Sequence, residues 1–266
     1  MIPVSNTGRT ERTAKNDFPM IASSLKISLA ATFLALTTLV AGAGERPLGV
    51  VELFTSQGCS SCPPADRLMG RLATEKDLIA LSFNVDYWDY LGWKDTLGSP
   101  DNSARQRAYA GRRGDGAVYT PQVVVNGRDH VQGSNEAAIR AALAGDAANG
   151  KAPDLDITMT ADDVSVTVTV PDAATAGPLD ATLWLVTYSQ AATVAITRGE
   201  NRGEKITYHN VVRSMRAIGM WKGKALTATL PRAELMKNGA DGCAVILQDA
   251  GEGHLGPVLG AAIIAH

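Results

Sequence analysis

The sequence predicts an α/β layer followed by an all-β, sandwich-like half, on three observations. A short apolar strand at residues 50–54 (Val-Val-Glu-Leu-Phe) leads into Cys59-Ser60-Ser61-Cys62 and then a helix. A β-branched run after Thr120-Pro121 ends in Asn126-Gly127, the dipeptide of a tight hairpin. Beyond residue 153 the chain breaks into short alternating apolar and polar runs, which favours antiparallel strands packed as a sandwich.

The elements follow in order. Residues 63–73 carry Ala65, Leu68, Met69 and Leu72 at helical spacing. Residues 77–85 form a second apolar strand, and parallel pairing of the two strands around the helix gives a mixed sheet. Residues 102–113 are helical and polar, with Arg105, Arg107, Arg112 and Arg113. The hairpin returns through residues 128–131, and a helix over 134–143 starts at Ser134 as N-cap. Residues 145–153 have a linker composition. After it, strands are expected at 155–159, 164–170, 182–188, 193–197, 205–212, 225–230, 243–248 and 258–264.

The chain has 266 residues. Residues 27–40 are uncharged and mostly apolar, Lys26 precedes them, and Ala41-Gly42-Ala43 follows, which is the pattern of a cleaved secretory signal. Met20 is a possible true start. The apolar run is shorter than the about 20 residues that a membrane span needs. Loss of residues 1–43 removes four cationic and two acidic side chains, taking the net charge from −2 to −4. That mild acidity argues against nucleic acid or an anionic membrane as partner. The expected location is the periplasm or the exterior, with no stable membrane insertion after cleavage. Domains are expected at 44–150 and 151–266.

In an oxidising compartment a C-x-x-C pair is catalytic, structural or metal-binding. Cys59, at a helix N-terminus where unpaired N–H groups favour thiolate, is the candidate attacking group, and Cys62 the resolving one. Glu52 stands seven positions before Cys59. Buried, it would have a raised pKa and take the proton from Cys62; on the other alternation it would face water. Tyr87, Trp88 and Trp93 lie in the loop after the second strand, as a substrate platform or as packing. His130 is the donor that would join Cys59 and Cys62 in a copper(I) or zinc site, although it lacks paired ligand spacing. Cys243 reads as a core residue. The charged loop Arg198-Gly199-Glu200-Asn201-Arg202-Gly203-Glu204 reads as solvated.

The C-x-x-C with a Thr-Pro hairpin about 60 residues later resembles the thioredoxin layout. That likeness implies a cis Pro121 lying against the disulfide, with Thr120 and Pro121 shaping the site for an extended substrate. The Ser60-Ser61 dipeptide and the absence of Trp before Cys59 depart from ordinary thioredoxins. More specifically, residues 51–66, 85–93 and 120–122, with Arg198-Gly199-Glu200-Asn201, resemble the DUF1223 family of bacterial secreted proteins. The resemblance implies a thioredoxin-like domain before the β-rich one and carries no settled activity. The expected function is an exported thiol–disulfide oxidoreductase, without cofactor, acting on thiols or disulfides of exported proteins. The alternatives are a copper(I) or zinc carrier and a non-catalytic binding module.

Overall fold

The computed structural model describes residues 47–174, 180–251 and 255–264. The signal-peptide reading falls outside them. The chain runs β1 (Gly49–Thr55), α1 (Pro63–Leu72), β2 (Leu78–Asn84), a 3₁₀ turn (Asp89–Leu91), α2 (Pro100–Arg113), β3 (Gln122–Val125), β4 (Asp129–Gln132) and α3 (Glu136–Ala148). It continues through β5 (Thr158–Ala161), β6 (Ser165–Val170), β7 (Ala181–Ala195), β8 (Lys205–Trp221), β9 (Leu226–Pro231), α4 (Arg232–Leu235), β10 (Gly242–Asp249) and β11 (Val258–Ile264).

One mixed sheet of eight strands, in the order β11-β10-β7-β8-β2-β1-β3-β4, spans both halves of the sequence. A second sheet has only three strands, β5-β6-β9. This corrects the expected fold. The molecule is mostly β, with four helices among the described residues, and is not a helical α/β thioredoxin-like layer followed by a separate sandwich. The cause lies in β2, whose seven residues are all buried, so that it needs a neighbour on each edge. β1 pairs along one edge in parallel. β8 takes the other through the single pair Ser82↔Val211. Two side chains reinforce that seam: Ser82 Oγ donates to the His209 carbonyl (2.7 Å) and Asn210 Nδ2 to the Ala80 carbonyl (2.9 Å). The runs expected as separate strands at 182–188 and 193–197 are one strand of 15 residues, and its antiparallel partner β8 has 17.

The sheet curls. The Val258 N–H at the start of β11 donates to the Asn126 carbonyl in the β3–β4 turn, so strands from opposite ends of the sheet meet. Asn126 (φ 48°) and Gly127 (φ 66°) are both left-handed, as that two-residue turn demands. Period-2 alternation then assigns two faces. Val50 and Phe54 join Leu81, Phe83, Val124, Val186, Ile246 and Val258 in a core inside the curl, entered by Tyr109 of α2. Val51 and Leu53 face outward under α1 and α3 with Leu68, Met69 and Ile139. The outer face of β7 and β10 is covered by the three-stranded sheet, with Cys243 in that core as expected.

Some boundaries also move. α3 starts at Asn135, whose side chain accepts from the Ala138 N–H, rather than at Ser134, and it runs on to Ala148 into the stretch with linker composition. No helix among the described residues is long and apolar enough to cross a membrane.

Candidate functional site

Cys59 and Cys62 are joined by a disulfide, with Cα atoms 5.4 Å apart. Cys62 is the N-cap of α1 and Pro63 takes the first helical position, where its missing N–H costs nothing. The Cys62 N–H donates to the Cys59 carbonyl at 3.1 Å, and the Cys59 N–H to the Ser56 carbonyl at 3.2 Å, so the loop is a pair of tight turns. Cys62 has no exposed surface and Cys59 retains 5%, while Ser60 and Ser61 are exposed. Any partner therefore reaches the disulfide at Cys59.

One turn further along α1 lies an acid that the sequence reading did not single out. Asp66 follows Cys62 by four residues on α1 and is buried, its face turned to the end of β1. Thr55 Oγ1 donates to its Oδ1 at 2.7 Å, and its Oδ2 has no hydrogen-bond partner among the described residues. Burial pushes the Asp66 carboxyl up to about 8, helped by the nearby Asp95. Asp95 is also raised, first by burial, although the Gln57 N–H (2.7 Å), Asn84 Nδ2 (3.1 Å) and the Leu97 N–H (2.8 Å) hydrogen-bond to its carboxylate. The Tyr208 hydroxyl, buried and without a partner among the described residues, is raised by burial and by the same two acids.

A raised carboxyl fixes the sign of a pH effect. Between the unfolded value near 3.8 and the folded value near 8, the folded state holds the extra proton, so stability falls as pH rises through that window. Asp66→Asn keeps an acceptor for Thr55 and cannot ionise. The variant is expected to differ least from the wild type at about pH 3.5, below the unfolded value, and to melt several degrees higher near pH 8. Thermal melts at the two pH values check this, and parallel pH dependences would exclude a raised Asp66.

The aromatic loop wraps the same segment. A Cβ built on Gly58 would lie 3.1 Å from Trp88 Cβ, and Trp88 Nε1 donates to Thr120 Oγ1 at 2.8 Å. Trp88 thus connects the Cys59 loop to the Thr120–Pro121 peptide, which is cis as the resemblance implied. Trp93 Nε1 donates inward to Gln57 Oε1 at 2.8 Å, and its ring packs beside Ile206 and Tyr208. Tyr87 donates to Gln106 Oε1 at 3.1 Å, and burial lifts its hydroxyl to about 12. The freely exposed aromatic is Tyr90, at 75%, stacked on Trp88 with centroids 6.2 Å apart.

Glu52 lies elsewhere. It shares the inner face with Val50 and Phe54, whereas α1 covers the outer one. Arg105 grips it through Nε at 2.5 Å and Nη2 at 3.0 Å, Tyr109 donates to it at 2.5 Å, and Gln248 Oε1 accepts from Arg105 at 3.1 Å. Its carboxylate is occupied by a cation and stands on the opposite side of β1 from the disulfide. His130 is engaged by the Tyr119 hydroxyl (2.9 Å) and Asp115 (3.3 Å). Among the described residues no group of three or more His, Cys, Asp or Glu is placed to hold a metal ion.

The loop read as solvated contributes one inward residue. Arg198, Glu200, Arg202 and Glu204 are exposed, but Asn201 is buried, and its Nδ2 donates to the carbonyls of Gln57 and Cys59, both at 2.9 Å.

Comparison with known proteins places this arrangement. A search of curated proteins finds no match. A crystal structure of an Agrobacterium tumefaciens protein is similar at 35% identity and a TM-score of 0.75, over 84% of this chain and 96% of that one. HBP35 of Porphyromonas gingivalis is similar at 14% identity and a TM-score of 0.56, over 84% of this chain and 76% of that one, a likeness of fold alone. The family model described as "Protein of unknown function (DUF1223)" matches residues 50–248. That match takes in well over half of the sequence, and the chain belongs to the DUF1223 family.

Proposed function

We propose that this protein is an exported thiol–disulfide oxidoreductase that works through Cys59 and Cys62 in the periplasm or outside the cell. One observation carries the reading: the disulfide stands at the start of a helix, Cys59 borders the surface while Cys62 is sealed, and a buried acid, Asp66, follows Cys62 one helical turn on. A disulfide that served only as a staple has no need of a buried acid one helical turn along from its inner cysteine.

The chemistry follows from the placement. In the reduced protein the Cys59 thiolate, favoured by the first turn of α1, attacks a sulfur of a partner disulfide and releases one partner thiolate. The Cys62 thiol then passes its proton to the Asp66 carboxylate and attacks Cys59 Sγ. That step frees the second partner thiolate and restores the Cys59–Cys62 disulfide. Run backwards, the same steps oxidise a partner dithiol, with Asp66 returning the proton. A carboxyl near 8 stands close to an ordinary thiol near 8.5, which suits transfer in both directions. The exposed Tyr90, stacked on Trp88 beside Gly58, offers an apolar shelf for the residues around a partner cysteine.

The test is catalysed disulfide exchange on a generic protein substrate such as insulin, with glutathione as reductant. The wild type is expected to accelerate reduction and Cys59→Ser to abolish the acceleration. A rate no higher than that of glutathione alone would remove the reading.

A further inference from the structure

We propose that Asn201, at the tip of the β7–β8 hairpin, is a positioning residue that holds Cys59 in bonding register with Cys62 and thereby makes the disulfide harder to reduce. The geometry is specific. The side-chain amide of Asn201 has two N–H groups, and the Gln57 and Cys59 carbonyls each lie 2.9 Å from its nitrogen. Those carbonyls flank Gly58, so one side chain fixes the backbone on both sides of the residue before the reactive cysteine. Asn201 is only 6% exposed, while the charged residues around it are exposed. The tip is built for this approach: Gly199 (φ 73°) brings it so near that an added Cβ would lie 3.0 Å from Trp93 Cβ. Left-handed backbone at this position favours glycine.

The effect on redox balance follows from where the two sulfurs are anchored. Cys62 is held by α1. Cys59 sits on a loop whose backbone is tied locally by turns and, from 142 residues away, by Asn201. Closing the disulfide is intramolecular, and its equilibrium depends on the effective concentration of one sulfur at the other. A loop fixed with Cys59 at bonding distance keeps that concentration high, and a freed loop lowers it.

The inference deepens the redox reading, but its test needs only the disulfide and no substrate. The full-length exported protein is equilibrated with reduced and oxidised glutathione, in which two glutathione thiols are oxidised to one disulfide as two electrons and two protons convert the Cys59–Cys62 bond into two thiols. Asn201→Ala and Asn201→Asp are expected to move the equilibrium by about fivefold or more toward the dithiol. Asn201→Ser, which keeps one donor, is expected to fall between them and the wild type, and it carries the test if the other two fail to fold. Glu200→Ala on the same hairpin is expected to leave the equilibrium unchanged. Thermal melts of both redox forms separate positioning from general support: Asn201→Ala is expected to destabilise the disulfide form more than the dithiol form. Equal destabilisation of the two forms with an unchanged equilibrium would overturn the proposal, as would an equal shift in Glu200→Ala. A protein that shows the Asn201 shift yet exchanges no disulfides with substrates would fail the redox reading alone.

Discussion

Replacing Cys62 by serine is expected to turn Cys59 into a trap. With the resolving sulfur gone, a Cys59 thiolate that attacks a partner disulfide has no intramolecular exit, because Cys62 is the sulfur placed one short turn away. Covalent adducts should accumulate on Cys59, appear on non-reducing gels of cells making the variant, and vanish with reductant or in the Cys59→Ser, Cys62→Ser double variant. The effect is close to all-or-none, since resolution relies on proximity that a free thiol in solution cannot match. Adducts of equal yield on wild-type and variant protein, or none on either, would count against an exchange mechanism. The identity of the trapped chains would also give the direction, since reductase substrates and oxidase substrates differ in whether their cysteines end paired.

Loss of Arg105 is expected to be the most damaging single change outside the disulfide. Glu52 has no exposed surface, and among the described residues Arg105 is the one cation bonded to it. Arg105→Met leaves a carboxylate buried between β1 and α2, which costs about 3–5 kcal/mol. The guanidinium also lies 5.0 Å from the Tyr109 ring centroid and 5.6 Å from that of Phe83, contacts that a methionine keeps only as packing. Combining it with Glu52→Gln removes the orphaned charge while retaining an acceptor for Tyr109. The double variant is therefore expected to be more stable than Arg105→Met alone. Urea denaturation of the three variants checks the order, and a double variant less stable than both singles would show that the ion pair is worth more than the charge it compensates.

The contrast between Glu52 and Asp66 shows what a sequence pattern can hold. The strand, the C-x-x-C, the helix and the Asn-Gly hairpin are local, and each was legible because its determinant lies within a few residues. Alternation said that Glu52 faces one side of β1 but not which side α1 would cover. Asp66 carried a readable signal, an acid four residues after Cys62 and so on its side of the helix, but polar helix residues are so often solvated that the position drew no notice. The continuity of the sheet was not legible. Alternating strands reveal which side chains are inward, not which strand lies alongside, and the β2–β8 seam that makes the sheet continuous shows one residue pair and two side-chain bonds. Asn201 hid among charges for the same reason: its partners are carbonyls, which have no identity in a sequence.

The long-range seam between β2 and β8 bears on how the chain matures as it is made. The Ser82↔Val211 pair closes a loop of well over a hundred residues, and the N-terminal part of a chain emerges first. When Cys59 and Cys62 first emerge, β8 and the Asn201 hairpin are still to come. At that stage α1 and local turns alone bring the sulfurs together, and the far edge of β2 lacks its partner. The pair is thus chemically competent before it is architecturally supervised. Contacts so distant along the chain form late. The nascent protein therefore passes through an interval in which Cys59 lacks its distant anchor and the central strand has an open edge for foreign pairing.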